Sequence, residues 1–217
     1  MKKIISFSLW GDNPKYTIGA IENAKLVNQI YNGWIGRFYC GKSVPSNIIE
    51  SLRNIPNTEV IIMDEDGDWT GMFWRFSACK DSGVMLSRDT DSRLSLREKL
   101  AVDEWLNSDK DFHIMRDHPY HTTEILGGMW GCRNGILKNM KSLINEYKKG
   151  NFWQVDQNFL KEKIYPMVKN NSYIHDEFFN YNLNRKKFPT NRDKGRFVGQ
   201  AFDENDKVLH EKHSLLV

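Results

Sequence analysis

The chain has 217 residues, 40% of them hydrophobic and 27% charged, with a formal net charge of +3. That balance fits one globular domain able to bury a sizeable core, and it excludes nucleic-acid binding through bulk charge, because no run of like charges accompanies it. Three separated cysteines, Cys40, Cys79 and Cys132, exclude a disulfide framework and match no metal-finger spacing.

In chain order, residues 4–9 form an apolar run that reads as a first strand. It is too short for a signal peptide and has no small-residue cleavage site after it. A turn at Gly11-Asp12-Asn13-Pro14 follows, and Ile18, Ile21, Ala24, Val27 and Tyr31 then recur at helical spacing. A strand over 34–39, a short helix over 45–53 and a strand over 59–63 come next. The acidic loop 64–68 begins like an EF-hand, but Trp69 and Arg75 stand where glycine and glutamate are required, so calcium binding is excluded. An aromatic-rich helix over 70–80 leads to a strand at 84–87. Ser95 and Glu98 fit a capping box opening a helix to about residue 107. A strand over 112–116, an amphipathic helix over 136–147 and a helix over 155–165 stopped by Pro166 complete the regular elements. The tail after Asn170 is polar and expected to be irregular, apart from a short strand at 197–198. Alternating β and α units predict an α/β fold with a mostly parallel sheet, helices on both faces, and ligands beyond the carboxyl ends of the strands. No stretch is apolar enough to span a bilayer, and a cytoplasmic protein is expected, with the possibility that the chain is one module of a longer one.

The chemistry concentrates at Ser87-Arg88-Asp89-Thr90-Asp91-Ser92-Arg93. Four Asp-x-Asp pairs occur in the chain, at 64/66, 66/68, 89/91 and 109/111. Only the third directly follows an apolar strand and is bracketed by arginines. In extended backbone alternate side chains share a face, so Asp89 and Asp91 can offer oxygens to one hard divalent cation, leaving positions that a diphosphate can fill. Arg88 and Arg75 are candidates for phosphate or sugar oxygens. Leu9, Trp10, Gly11 and Tyr16, after the first strand, are candidates for the nucleoside. Asp117, His118 and His121 are candidates for acceptor binding or proton transfer. Gly127-Gly128-Met129-Trp130-Gly131 allows close backbone approach to a ligand, with Trp130 as an apolar platform. Arg192 and Lys194 form a basic tail segment suited to closing over a diphosphate.

The blocks at 87–94, 97–105, 113–119 and 127–131 resemble a group of viral and bacterial glycosyltransferase-like proteins, virus-encoded capsid glycosyltransferases among them. The similarity is dense over 87–131 and extends from about residue 4 to residue 200. It implies the GT-A fold in a single domain, with a nucleotide-sugar half over about 1–110 and an acceptor half over about 111–217. It further implies a UDP-sugar donor, manganese or magnesium on Asp89 and Asp91, and a glycan or glycoprotein acceptor such as a viral capsid glycan, in the host cytoplasm if the protein is viral. Asp156-Gln157 is similar to the Asp-Gln pair that faces the reacting sugar in several such enzymes. His175 is similar to a late histidine that serves as a third metal ligand.

A rival motif is present. Gly36-Arg37-Phe38-Tyr39-Cys40-Gly41-Lys42-Ser43 fits G-x-x-x-x-G-K-S, and residues 60–64 resemble the strand and aspartate that accompany it in P-loop NTPases and kinases. Phe38, Tyr39 and Cys40 prefer a strand, and Pro45 disfavours helical backbone at Val44. A carbohydrate-binding module using the seven tryptophans is a third reading.

Overall fold

The apolar runs assemble into one seven-stranded sheet: β1 (Lys3–Leu9), β2 (Ile35–Cys40), β3 (Thr58–Ile62), β4 (Val84–Ser87), β5 (Phe112–Arg116), β6 (Trp130–Arg133) and β7 (Ser172–Asp176), in the order β3-β2-β1-β4-β6-β5-β7. The computed structural model describes all residues except Ser82, Asn134, Asn182, Leu183 and Lys194. β1 pairs in parallel with β2 and β4, β2 with β3, and β5 with β7. β6 runs antiparallel to β4 and β5, so the remaining strands point one way and their carboxyl ends gather along one edge. Strands β5 to β7, from the half after residue 111, are hydrogen-bonded into the same sheet as β1 to β4.

Both faces are covered, and β1 and β4 are buried along almost their whole length. On one face lie α1 (Pro14–Ile30), α2 (Ser46–Arg53) and α3 (Leu96–Leu106), burying Ile5, Phe7, Phe38, Leu86 and Trp105. On the other lie a 3₁₀ segment (Trp69–Lys80), α4 (Met140–Glu146) and α5 (Val155–Phe159), burying Ile4, Met85, Phe112, Ile114 and Trp130. Ile4 and Ile5, like Met85 and Leu86, enter opposite cores because successive strand residues point to opposite faces. Among the described residues no helix is long and apolar enough to cross a membrane.

Several expectations are corrected. Residues 69–80 form a 3₁₀ segment rather than an α-helix, and the amphipathic stretch 136–147 is helical only from Met140. Pro166 does not stop the chain's helix: α5 passes through a π turn (Leu160–Ile164) into α6 (Tyr165–Val168). The wider turn relieves the clash a proline makes in a regular helix. β6 takes up the end of the glycine-rich stretch, where no strand is expected, and β7 replaces an expected irregular tail. The tail forms no strand at 197–198; instead it makes single bridges, Ser92 to Ala201 and Phe202 to Val208, before the short α7 (Glu211–Ser214).

The P-loop reading fails on the backbone. Residues 36–40 lie inside β2 and the helix opens only at Ser46. The Lys-Ser turn is a buttress: Ser43 Oγ accepts from Gly11 N at 2.8 Å and donates to the Asp66 carbonyl at 2.5 Å.

Candidate functional site

A cleft of about 420 Å³ opens at the carboxyl ends of β1 and β4. Its β1 wall is made by Leu9, Trp10, Gly11 and Tyr16, and its β4 wall by Asp89, Thr90 and Asp91, with Arg75 and Asp156 closing one side. Asn13 caps α1 by accepting from Lys15 N at 3.0 Å, with Pro14 in the first turn. That helix start brings Lys15 to the site, where its Nζ lies 3.0 Å from Asp91 Oδ2.

Arg75 is the hinge of the charged cluster. Only 4% of its side chain is exposed; Nη1 pairs with Asp89 Oδ1, and Nη2 lies 2.7 Å from Asp156 Oδ2. Asp156 sits in the first turn of α5, where its Oδ1 accepts from Gln157 N at 2.8 Å. Burial and the Asp89 charge push its carboxyl above the ordinary range, against the pull of Arg75. Burial and the same neighbour raise Asp91, with Lys15 opposing. Two glycines make this crowding possible. A Cβ on Gly127 would stand 2.4 Å from Asp156 Oδ2 and 2.6 Å from Arg75 Nη2, and one on Gly128 would stand 2.0 Å from Asp89 Oδ2. The Gly-Gly pair is thus shaped to carboxylates, and Gly128 itself does not line the cleft.

The donor set suits a hard divalent cation as a partial shell. Asp89 and Asp91 face one cleft, and Asp89 keeps 45% of its side chain exposed. Among the described residues no group of three or more His, Cys, Asp or Glu forms a complete cage. Two carboxylates, with the remaining positions left to phosphate and water, is the way magnesium and manganese are held beside diphosphates.

Other expected residues lie elsewhere. Arg88 does not line the cleft; its Nε lies 2.6 Å from buried Glu98, which also accepts from Tyr31 OH at 2.9 Å. Ser95 still caps α3 through Glu98 N, but the Glu98 side chain turns inward rather than completing the box. Asp117 is fully buried, held by Arg97 at 2.8 and 2.9 Å, Arg192 at 2.8 Å and Val198 N at 2.9 Å. Arg192 is therefore a clamp on Asp117 and does not line the cleft. His118 Nε2 lies 3.0 Å from the His213 carbonyl, and its ring packs on Phe197. His175 is buried against His113 at 2.8 Å and Glu104 at 3.0 Å, out of reach of the aspartate pair. Trp130 is a core side chain stacked on Phe112, not a platform. Lys194 lies outside the described residues. His121, an expected acceptor residue, does line the cleft; the structure adds Trp69 and Trp153 to its lining and Lys15 beside it through Asp91. It also adds Gly199, delivered by the tail, where Phe202 N donates to the Asp91 carbonyl at 2.8 Å.

No protein-family model matches the chain, and no curated protein matches it. Solved structures do. A glycosyltransferase involved in glycosylation of the major capsid of PBCV-1 superposes with a TM-score of 0.54 at 15% identity, over 81% of this chain and 82% of that one. Glucosyl-3-phosphoglycerate synthase from Mycobacterium tuberculosis, solved with Mn2+, UDP and phosphoglyceric acid, gives 0.53 at 10% identity, over 84% and 72%. S. aureus TarS 1-349 with UDP gives 0.51 at 14% identity, over 82% of this chain and 59% of that one. These are glycosyltransferases of GT-A type, and the fold of this chain is the GT-A fold.

Proposed function

We propose that this chain is a divalent-metal-dependent glycosyltransferase that moves a hexose or deoxyhexose from a UDP-sugar to a glycan or glycoprotein. The observation that carries this reading is the convergence of Asp89, Asp91 and Asp156 on one cleft at the carboxyl ends of β1 and β4 of a GT-A sheet. In this reading the segment 9–11 and Tyr16 receive the nucleoside, and Asp89 and Asp91 hold manganese or magnesium. When bound, that ion neutralises charge developing on the departing UDP. Arg75 fixes Asp89 and Asp156 relative to one another. Asp156, with its raised carboxyl, serves as base toward the acceptor hydroxyl or stabilises the oxocarbenium-like transition state.

The test is calorimetric titration of UDP and of ATP in the presence of Mn2+, with UDP release from a panel of UDP-sugars as the activity measurement. UDP is expected to bind and ATP not. Asp91→Ala is expected to abolish metal-dependent transfer and leave the circular dichroism spectrum unchanged. Full activity in that variant would refute the reading.

A further inference from the structure

The mouth of the cleft carries two tryptophans left largely in water. Trp153 is 65% exposed and Trp69 is 42% exposed, and both line the cavity. Indole rings dominate core and interface energetics when they are covered, so an exposed pair at a site entrance is informative in a chain that buries Trp34, Trp105 and Trp130.

The pair is held in place. Asp68 caps the 3₁₀ segment, accepting from Thr70 N at 2.8 Å through Oδ1. Its other oxygen accepts from Asn151 Nδ2 at 2.7 Å, which ties the loop bearing Trp153 to the start of the segment bearing Trp69. The Trp69 ring meets Trp10 edge-on at 6.5 Å, and Trp10 meets Trp74 edge-on at 6.2 Å. Behind Trp153, Gln154 is held at φ +70°, a strained conformation for a side chain larger than glycine's. These segments also deliver the chemistry: Arg75 follows Trp69 on one, and Asp156 follows Trp153 on the other.

The same cleft is lined by polar groups of a particular kind. Gln154 and Gln157 present amides, and His121 accepts from Asp117 N at 3.0 Å through Nδ1, which leaves its Nε2 to carry the proton. Flat apolar faces beside neutral planar hydrogen-bonding groups match a pyranose ring, which has apolar C–H faces and a hydroxyl edge. A phosphorylated acceptor is disfavoured by the four carboxylates of the cleft, Asp12, Asp89, Asp91 and Asp156, and the nucleoside has its own wall at β1. We propose that Trp69 and Trp153 form an acceptor subsite that stacks a neutral hexopyranose of a glycan; this rests on the glycosyltransferase reading above.

Saturation-transfer NMR with maltose, cellobiose and lactose, on the whole chain without nucleotide or metal, tests it. Wild type is expected to transfer saturation to the ring protons of at least one disaccharide. The Trp69→Ala/Trp153→Ala double variant is expected to weaken that binding about tenfold or more, and Trp153→Phe to retain most of it. The affinity of UDP with Mn2+ is expected to stay within about twofold in all variants, and their melting temperatures close to wild type, since the replaced rings are exposed. Absence of disaccharide binding by wild type, undiminished binding by the double variant, or a parallel loss of UDP affinity would each overturn the subsite. Wild type that binds disaccharide through these rings but never binds UDP leaves the subsite standing and removes the transferase reading instead.

Discussion

Two arginine–carboxylate clusters of this molecule differ in their exposure and charge balance. In the cleft, one guanidinium, Arg75, spans Asp89 and Asp156, while Lys15 holds Asp91. Away from it, Arg97 and Arg192 converge on Asp117, and Arg97 also reaches Glu177 at 3.2 Å. The first cluster sets three carboxylates against two cations and is open to solvent at Asp89; the second balances two against two and leaves Asp117 with no exposed surface. Unbalanced negative charge beside an opening suits the capture of a cation, whereas a closed, balanced cluster serves to fasten parts of the chain together. The fastening is visible: Asp117 also accepts from Val198 N, so the tail is pinned through it.

The largest effect that sharpens this contrast is on stability. Asp117→Ala leaves Arg192 without its carboxylate and Arg97 with Glu177 alone, in a mostly buried setting, and is expected to cost about 3–5 kcal/mol, read from the shift in the urea midpoint, with proteolysis appearing in the tail first. Asp89→Ala, at a half-exposed carboxylate whose arginine keeps Asp156, is expected to cost no more than about 1 kcal/mol while removing activity. Equal losses in the two variants would erase the distinction between the clusters.

The open cluster was legible in the amino-acid sequence and the closed one was not, for physical reasons. An apolar run ending in an aspartate pair marks the end of β4 at the cleft, although β4 stops at Ser87 and the pair reaches the cleft from the turn that follows rather than from extended backbone. Arg88, the first residue beyond β4, turns to buried Glu98 instead of the cleft, which its place beside the aspartate pair does not reveal. Asp117, His118 and His175 are polar residues in a reactive-looking context, and only packing reveals that each is satisfied internally. β6 and β7 escaped because Trp-Gly-Cys-Arg and Ser-Tyr-Ile-His-Asp lack an apolar run; their strands are imposed by neighbours, with His113 and His175 facing each other across β5 and β7. Lys15 carries no motif, and its approach to Asp91 follows from the angle at which α1 leaves the sheet. Which tryptophans are exposed cannot be read from composition, so Trp130 stood where Trp153 belongs.

Next in size is the effect of steric fit. Gly128→Ala places a methyl 2.0 Å from Asp89 Oδ2 and 2.9 Å from Asp89 N, so the carboxylate must move. Overpacking of this kind is expected to cost about 1–3 kcal/mol, measured by denaturation, with Mn2+ affinity falling alongside. A variant with unchanged metal binding would show that the Asp89 position seen here is not the one that binds.

His121 joins the two clusters, lining the cleft with its ring while its Nδ1 accepts from Asp117 N. Burial, with His118 beside it, lowers its pKa to about 3, and burial holds His113 well below the ordinary histidine range. The unfolded chain takes up these protons near pH 6.5 and the folded chain does not. Stability is therefore complete above that pH and declines as pH falls toward 3, by at most about 1.4 kcal/mol per unit for each histidine. His121→Asn preserves an acceptor for Asp117 N and is expected to flatten this decline in a pH series of urea titrations. An unchanged slope would mean that His121 protonates freely in the folded state.

The smallest stability effect belongs to the most telling substitution. Lys15 and Asp91 retain 25% and 21% of their side-chain exposure, so Lys15→Met is expected to change stability by less than about 1 kcal/mol. The charge balance of the cluster nevertheless changes: Asp89, Asp91 and Asp156 then have Arg75 alone. If Asp89 and Asp91 hold a divalent ion, Lys15 competes for the same oxygens, and its removal is expected to tighten Mn2+ binding roughly five- to tenfold in the absence of nucleotide, read by electron paramagnetic resonance. Arg97→Met in the closed cluster makes the control, since removing a cation there exposes no carboxylate to the cleft and leaves Mn2+ affinity where it was. Weaker or unchanged Mn2+ binding in Lys15→Met would mean that the lysine, and not a metal ion, is the resident counter-charge of Asp91.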